Sequence, residues 1–109
     1  MVSELREPTY LVLTALADGP LHGYAIIGEV SKITKGQVTL RAGSLYGTLD
    51  RLVDEGLVCA TGEEVVEGRL RRYYTLTECG TAALSAHATR MVSVSTEALR
   101  RLNVSPRFA

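Results

Sequence analysis

The sequence is poor in the residues on which several protein classes depend. It has only two cysteines in 109 residues, Cys59 and Cys79, too far apart for a zinc cluster or a Cys-x-x-Cys pair. They could join His22 and His87 at a metal, but no short ligand spacing supports such a site. We therefore expect no metal or cofactor, and two buried, reduced cysteines that do not form a disulfide.

Long apolar runs and catalytic patterns are also missing. No apolar stretch approaches the roughly 20 residues that span a bilayer. The N-terminal "MVSELREPTY" lacks a basic segment followed by a long apolar one, unlike a signal peptide. No Ser-His-acid or Cys-His arrangement and no glycine-rich phosphate loop stands out. These features predict a cytoplasmic domain of modest size with no catalytic residues and no membrane partner.

An excess of charge is absent as well, since twelve acidic residues balance twelve basic ones. A net charge of zero counts against a nucleic-acid-binding protein, which is often basic overall. The charges are nevertheless sorted along the chain. An acidic segment that includes Glu63, Glu64 and Glu67 comes just before Arg69, Arg71 and Arg72. A local basic surface therefore remains compatible with the composition.

Hydrophobic periodicity predicts three helices followed by a hairpin. The segment "EPTYLVLTALADG" is apolar almost all round, "LHGYAIIGEVSKIT" is amphipathic, and a third helix runs from about Gly43 to Glu55 with Ser44 near its cap. Two β-prone runs, "LVCATG" and "RLRRYYTLT", flank an acidic loop, "EEVVEG". Alternation on the second strand places Leu70, Tyr74 and Leu76 on one side.

The last helix is predicted to be an interface between two copies of the chain. It begins at Thr77 and runs to about Leu102, on the order of 40 Å, which is long for so small a domain. Its apolar and small residues form a stripe suited to the first helix of a partner, although the helix could also fold back on its own domain. The predicted interface consists of Tyr10, Leu13, Leu16, Leu84, Ala88, Met91, Ala98 and Leu102.

The order of these elements predicts a fold that is mainly α with a small β-hairpin. Three helices and a two-stranded wing form a winged helix-turn-helix at residues 1–76, followed by a dimerisation helix at 77–102 and a tail at 103–109. In such a domain the third helix enters the major groove of DNA.

The third helix has a polar side that suits DNA. In "RAGSLYGTLDRLVDEGLV" the apolar residues are Leu45, Leu49, Leu52 and Val53, and the other side is short and polar. Such a surface allows close approach to base edges, while arginines suit phosphates or guanines. The DNA contacts predicted from this pattern and from the wing are Arg41, Ser44, Tyr46, Thr48, Arg51, Arg69 and Arg71.

Each predicted contact also has a simpler interpretation. Ser44 could cap its helix, Thr48 could be a neutral surface residue, Tyr46 could pack on the second helix, and the arginines could be solvated charges. Winged helices also serve as protein–protein or dimerisation modules without DNA. A binding signal that falls steeply with salt would distinguish a DNA-binding protein from such a module.

Three separated motifs resemble the PadR transcriptional regulators: "LHGYAI", "AGSLYGTLDRLVDEGLV" and "EGRLRRYYTLTECG". The resemblance covers about Leu5 to Leu84 and is closest to short members that end in one dimerisation helix. It implies a homodimeric repressor that binds inverted-repeat promoter DNA and is released by a small-molecule effector. Carried over by motif, Tyr24, Ser44, Tyr46, Arg69 and Arg71 fall where the family contacts DNA.

The chain departs from the family pattern at three places. Ala42 stands where the family often has proline, and the wing loop is unusually acidic. Some short members hold flat aromatic ligands with an aromatic residue of the last helix, and the last helix of this chain has none.

Overall fold

The computed structural model describes residues 5–105, so the first residues of the predicted domain, 1–4, and the end of the predicted tail, 106–109, lie outside the described residues. The order of elements agrees with the prediction, with one added strand. The helices are α1 (Glu7–Ala15), α2 (Gly23–Ile33), α3 (Ala42–Asp54) and α4 (Glu78–Arg101), and the strands are β1 (Leu21–His22), β2 (Val58–Val66) and β3 (Arg69–Leu76).

The core lies between α1, α2, α3 and the base of the sheet. Its fully buried side chains include Leu13 and Leu16 from the α1 region, which are 0% and 1% exposed. Burying such side chains stabilises the fold by about 1.5–3 kcal/mol each. This burial corrects the predicted interface, because a fully buried side chain offers no surface to a second subunit. Leu13 and Leu16 belong to the core of one chain.

The ends of α2 and α3 follow from local chemistry. His22 caps α2, its Nδ1 accepting from the Ala25 amide at 3.4 Å. Arg41 occupies the N-cap position of α3 without a capping hydrogen bond, so Ser44 lies inside the first turn and does not cap the helix. At the far end Gly56 adopts a φ of +76°, and the Leu57 amide donates to the Leu52 carbonyl. This glycine-dependent arrangement turns the chain into β2.

The sheet is antiparallel with the order β1-β3-β2. Strand β1 was not predicted, because two residues are too short to show alternation. The acidic segment predicted as a loop is instead part of β2, which continues to Val66. Glu67 and Gly68 alone form the turn, with φ values of +52° and +78°, as in a two-residue type I′ hairpin.

We call the β2–β3 hairpin, residues 58–76, the wing. Its base is buried, since Tyr74 is 4% exposed and belongs to the core. Its outer half extends beyond the helices, and Leu70 is 59% exposed opposite Val65. Leu70 and Tyr74 alternate onto one side of β3, as predicted, but only Tyr74 is buried, because within the described residues no helix covers the outer half of the sheet.

Helix α4 begins at the predicted cap. The Thr77 hydroxyl accepts from the Gly80 amide at 3.0 Å and donates to the Gly56 carbonyl at 2.6 Å. A Cβ at Gly80 would overlap the Leu57 carbonyl, so only glycine allows α4 to approach the backbone just before β2 so closely. The first half of α4 packs on α1. There the buried ring of His87 meets the ring of Tyr10 edge-on, with 4.5 Å between the ring centroids.

The second half of α4 projects away from the core. The helix of 24 residues is about 36 Å long. After Met91 its apolar side chains are largely exposed, with Val92 and Leu102 at 66% and 71%. The alternative, in which α4 folds back on its own domain, therefore applies to the first half of α4 only, and the second half is left without a covering element within the described residues.

The cysteines differ from the expectation in their burial. Cys59 on β2 and Cys79 in the first turn of α4 are both free and exposed. Cys59 points away from the core because it alternates with buried Val58. Between residues 5 and 105 no group of three or more His, Cys, Asp and Glu side chains could hold a metal ion. In the same range no helix is long and apolar enough to cross a membrane.

Candidate nucleic-acid interface

A cleft of about 410 Å³ separates the N-terminal ends of the helices from the wing. One side is formed by the start of α2 together with Tyr46 of α3, and the other by the outer part of the wing. The cleft brings together Tyr24, Tyr46, Arg69 and Arg71, four of the eight predicted DNA contacts. Its lining residues are His22, Gly23, Tyr24, Tyr46, Val66, Glu67, Arg69, Leu70, Arg71 and Arg72.

The two tyrosines have different surroundings. Tyr24 is 61% exposed and extends into solvent. Tyr46 packs against Gly23, where a Cβ would overlap the phenol ring, so the interpretation that Tyr46 packs on α2 is correct. Tyr46 is still 43% exposed, which leaves part of the ring at the cleft. A hydroxyl fixed in this way can donate to an anion without a large loss of side-chain freedom.

The exposed face of α3 is different at its two ends. The stripe directly opposite the buried leucines consists of Gly43, Gly47, Asp50 and Asp54, all exposed, with open space beside both glycines. The N-terminal half therefore allows close approach, with Ser44 exposed beside it. On the C-terminal half, the carboxylates of Asp50 and Asp54 would repel a phosphate group.

The polar residues predicted to face away from the core therefore do not lie on the side of α3 that faces straight outward. Ser44, Thr48 and Arg51 flank the outward stripe, and Thr48 is half-buried. Arg41 is exposed at the start of the helix and continues the accessible surface.

The guanidinium of Arg51 makes hydrogen bonds within its own chain. One Nη donates to the hydroxyl of Thr9 at 2.7 Å, and the other lies 3.4 Å from both carboxylate oxygens of Glu55. Thr9 is buried near the start of α1. The arginine thus ties α3 to α1, and this placement argues against the predicted base contact.

The wing carries its own acids opposite its basic side chains. Across the ladder Glu63 pairs with Arg72 and Glu64 pairs with Arg71. Arg72 lies 3.1 Å from Glu63, and this hydrogen bond raises the pKa of its guanidinium. Arg69 stands next to the turn, opposite Val66. Among the predicted wing contacts, Arg69 therefore has no acid directly opposite it.

Tyr73 connects the wing to the cleft. Its hydroxyl donates to Glu64 at 2.7 Å, and this hydrogen bond raises its pKa above the ordinary tyrosine value. Its ring meets the ring of His22 edge-on, with 5.4 Å between the ring centroids. His22 thus both caps α2 and supports the wing. No local pattern in the sequence indicates this role, since only the pairing of β1 with β3 brings the two rings together.

A second concavity lies away from the wing, between α1 and α4. It has a volume of about 600 Å³ and is lined by Leu5, Arg6, Glu7, Tyr10, Leu11, His87 and Met91. We call it the α1–α4 groove. It is continuous with the exposed second half of α4 through Met91. Of the predicted interface residues, Tyr10 and Met91 lie here, Leu84 and Ala88 are half-buried, and Ala98 and Leu102 are exposed.

Comparisons with known proteins agree with this architecture. The model of the PadR-like family of transcriptional regulators matches residues 12–86. The transcriptional regulator Rv3488 of Mycobacterium tuberculosis is 34% identical over 88 residues, which cover 81% of this chain and 78% of that protein. A 37.1 kDa protein in transposon TN4556 of Streptomyces fradiae is 44% identical over 85 residues, but the match spans only 23% of that protein.

Solved structures give the same fold. Bacillus subtilis PadR, in complex with operator DNA, superimposes with a TM-score of 0.66 at 26% identity, over 74% of this chain and 46% of that one. A PadR-like regulator from Bacillus cereus gives a TM-score of 0.73 at 24% identity, over 90% and 93%. These likenesses confirm the predicted winged-helix fold. The family consists of transcriptional regulators and not of enzymes, and the chain belongs to the PadR-like family of transcriptional regulators.

Proposed function

We propose that the chain is a homodimeric, sequence-specific DNA-binding repressor that acts in the cytoplasm on an inverted-repeat operator. The observation that carries the proposal is the cleft, where two tyrosine hydroxyls face two wing arginines beside the accessible end of α3. Hydroxyl and guanidinium donors at the two sides of one cleft suit the phosphates that flank a major groove. Bacillus subtilis PadR, whose structure holds operator DNA, has a similar fold.

The contacts divide into two classes under this proposal. Ser44 and Arg41, at the open end of α3, are placed for base edges, and Thr48 lies one turn further on. Tyr24, Tyr46, Arg69 and Arg71 are placed for phosphates. Arg51 supports α3 through Thr9. Base contacts set the choice of sequence, whereas phosphate contacts strengthen binding to all sequences.

The exposed second half of α4 is the reason for proposing a dimer. Its exposed valines and Leu102 are continuous with the α1–α4 groove through Met91, so a partner's α4 lying there would cover both. A two-fold dimer would then place its two α3 helices in successive major grooves, about 10 base pairs apart. Release by a small molecule is the remaining part of the proposal and rests on the family resemblance.

Selection of bound duplexes from fragmented genomic DNA tests the proposal. The expected result is a recovered inverted repeat whose half-sites lie about one helical turn apart, bound more weakly as salt increases. A metabolite extract that lowers the bound fraction would support the effector. Recovery of no duplex above background, with a well-folded protein, would favour the alternative of a winged-helix protein–protein module.

A further inference from the structure

His22 lies where β1, α2 and the wing meet, and its side chain lines the cleft. It is the last residue of β1 and the N-cap residue of α2, and it pairs with Tyr73 of β3. The same cleft contains Tyr24 and Arg71, two of the side chains that the proposed function assigns to phosphates. The cap and the contact with the Tyr73 ring leave one nitrogen of the imidazole without a role.

The helix cap determines which nitrogen of His22 carries the proton. The backbone amide of Ala25 can only donate, and it donates to Nδ1 of His22 at 3.4 Å. Nδ1 therefore carries no hydrogen, and in the neutral ring the proton is on Nε2. The one N–H of the imidazole is thus at the nitrogen that takes no part in the cap.

This N–H is available to a ligand in the cleft. Within residues 5–105 Nε2 of His22 makes no hydrogen bond, while every buried side-chain nitrogen or oxygen of that range has a partner. Nε2 is therefore accessible to solvent, although the residue as a whole is half-buried. The ring of Tyr73, at 87° to the imidazole, and the cap hold the ring in place. A donor held in this way binds an acceptor with little loss of side-chain freedom.

We propose that His22 is a further DNA contact, whose Nε2–H donates to a phosphate of the DNA backbone. The inference rests on the proposed function, because it uses the same cleft and the same ligand. A phosphate oxygen accepts hydrogen bonds, and the neighbouring donors Tyr24 and Arg71 suit the same backbone. A neutral imidazole neutralises no charge, so this contact strengthens binding without releasing a counterion.

The test combines His22→Asn with changes to single phosphates of the selected genomic duplex. Asparagine is among the best N-cap residues, so its side-chain oxygen can still accept from the Ala25 amide. Its amide nitrogen takes the place of Cδ2 of the imidazole and falls one bond short of Nε2. In the duplex, one phosphate at a time is replaced by an uncharged methylphosphonate, and the affinity of both proteins is measured. The control is Tyr73→Leu, which removes the ring contact and keeps the N–H of His22.

We expect His22→Asn to weaken binding about three- to tenfold on matched and mismatched duplexes alike, the size of one hydrogen bond. The salt slope should stay unchanged, in contrast to that of Arg71→Ala. At one phosphate of each half-site, the replacement should weaken the unsubstituted chain and Tyr73→Leu several-fold more than it weakens His22→Asn.

A second measurement needs no substitution. The chain has two histidines, and His87 is buried between α1 and α4, where its Nδ1 lies 3.2 Å from Arg90. In an NMR titration with the selected duplex, the imidazole nitrogen signals of His22 should shift and those of His87 should not. Unchanged His22 signals in a protein that binds the duplex would overturn the inference.

Two results of the phosphate replacements would also overturn the inference and leave the proposed function intact. One is an equal response of the unsubstituted chain and His22→Asn at every phosphate. The other is a response of Tyr73→Leu that matches that of His22→Asn, since His22 would then act only by supporting the wing. If the unsubstituted chain shows no salt-dependent binding to any duplex, the proposed function fails, and this inference fails with it.

Discussion

Gly23 shows how one missing Cβ positions a side chain that we propose contacts DNA. The ring of Tyr46 occupies the space that any larger residue at position 23 would need. Gly23→Ala must push the half-exposed outer end of Tyr46 aside, so it should cost about 1 kcal/mol, the low end for overpacking, and should weaken DNA binding by displacing Tyr46. Thermal unfolding and a DNA titration measure the two effects.

The same helix offers a matched control for this substitution. Gly28 also lies in α2, but a Cβ there meets nothing within 4 Å. Gly28→Ala should therefore leave stability unchanged or raise it by about 0.5–1 kcal/mol. Adding Tyr46→Ala to Gly23→Ala should recover part of the lost stability. Equal effects of the two glycine substitutions would contradict this account of Tyr46.

Arg51 and Arg71 are expected to respond in opposite ways. Arg51→Ala breaks the hydrogen bond to buried Thr9, so it should cost about 0.5–1.5 kcal/mol of stability and leave the salt slope of DNA binding unchanged. Arg71→Ala should leave stability nearly unchanged. Denaturant unfolding and salt titrations of both variants check this difference. A stable Arg51→Ala protein with a reduced slope would restore the original prediction that Arg51 contacts DNA.

At the scale of elements, α4 divides at Met91. Truncation after Met91 keeps His87 against Tyr10 and removes only the projecting half. We expect a folded monomer, because the removed part covers nothing in its own core. Truncation after Leu84 also removes His87 and should destabilise the fold itself. Sedimentation and circular dichroism of both proteins provide the test. A dimer that survives truncation after Met91 would disprove the proposed role of the projecting half.

The end of α4 has a pH-dependent cluster. Arg100 and then Arg101 hydrogen-bond to Glu97 and lower its pKa to about 2. Because the folded pKa is depressed, the stabilisation is fully present above the ordinary value of 4.5 and is lost as pH falls toward about 2. We expect the last turn of α4 to fray over this interval and Glu97→Gln to remove the dependence. NMR titration of the Glu97 carboxyl gives its pKa, and a value near 4.5 would contradict the cluster.

The elements also show what sequence patterns can and cannot predict. Periodic leucines and a threonine cap gave α3 and the start of α4, because those signals are local. Strand β1 has two residues, too few to show alternation. The acidic residues of β2 made the end of that strand resemble a loop in the sequence. The link from Arg51 to Thr9 joins residues 42 apart. No local sequence pattern can predict this contact, because it exists only once the folded chain brings Arg51 of α3 to Thr9 of α1.

At the scale of the whole molecule, the sorting of charge would restrict where DNA binds under the proposed function. The chain is neutral overall, yet the cleft collects Arg69 and Arg71, while Asp50 and Asp54 face outward further along α3. An approaching duplex would be repelled from the C-terminal half of α3 and attracted to its N-terminal half and the wing. A net charge of zero is therefore compatible with a DNA-binding surface, because the sorting of charge decides the local field.

The most direct test of the central claim is the salt dependence of affinity for the selected duplex, measured for the unsubstituted chain and for Arg71→Ala. We expect log affinity to fall linearly with log salt, with a slope of several units, and Arg71→Ala to lower the magnitude of that slope by about 0.9 per removed contact. An affinity that does not change with salt, or an identical slope for both proteins, would contradict the claim that the cleft binds DNA phosphate.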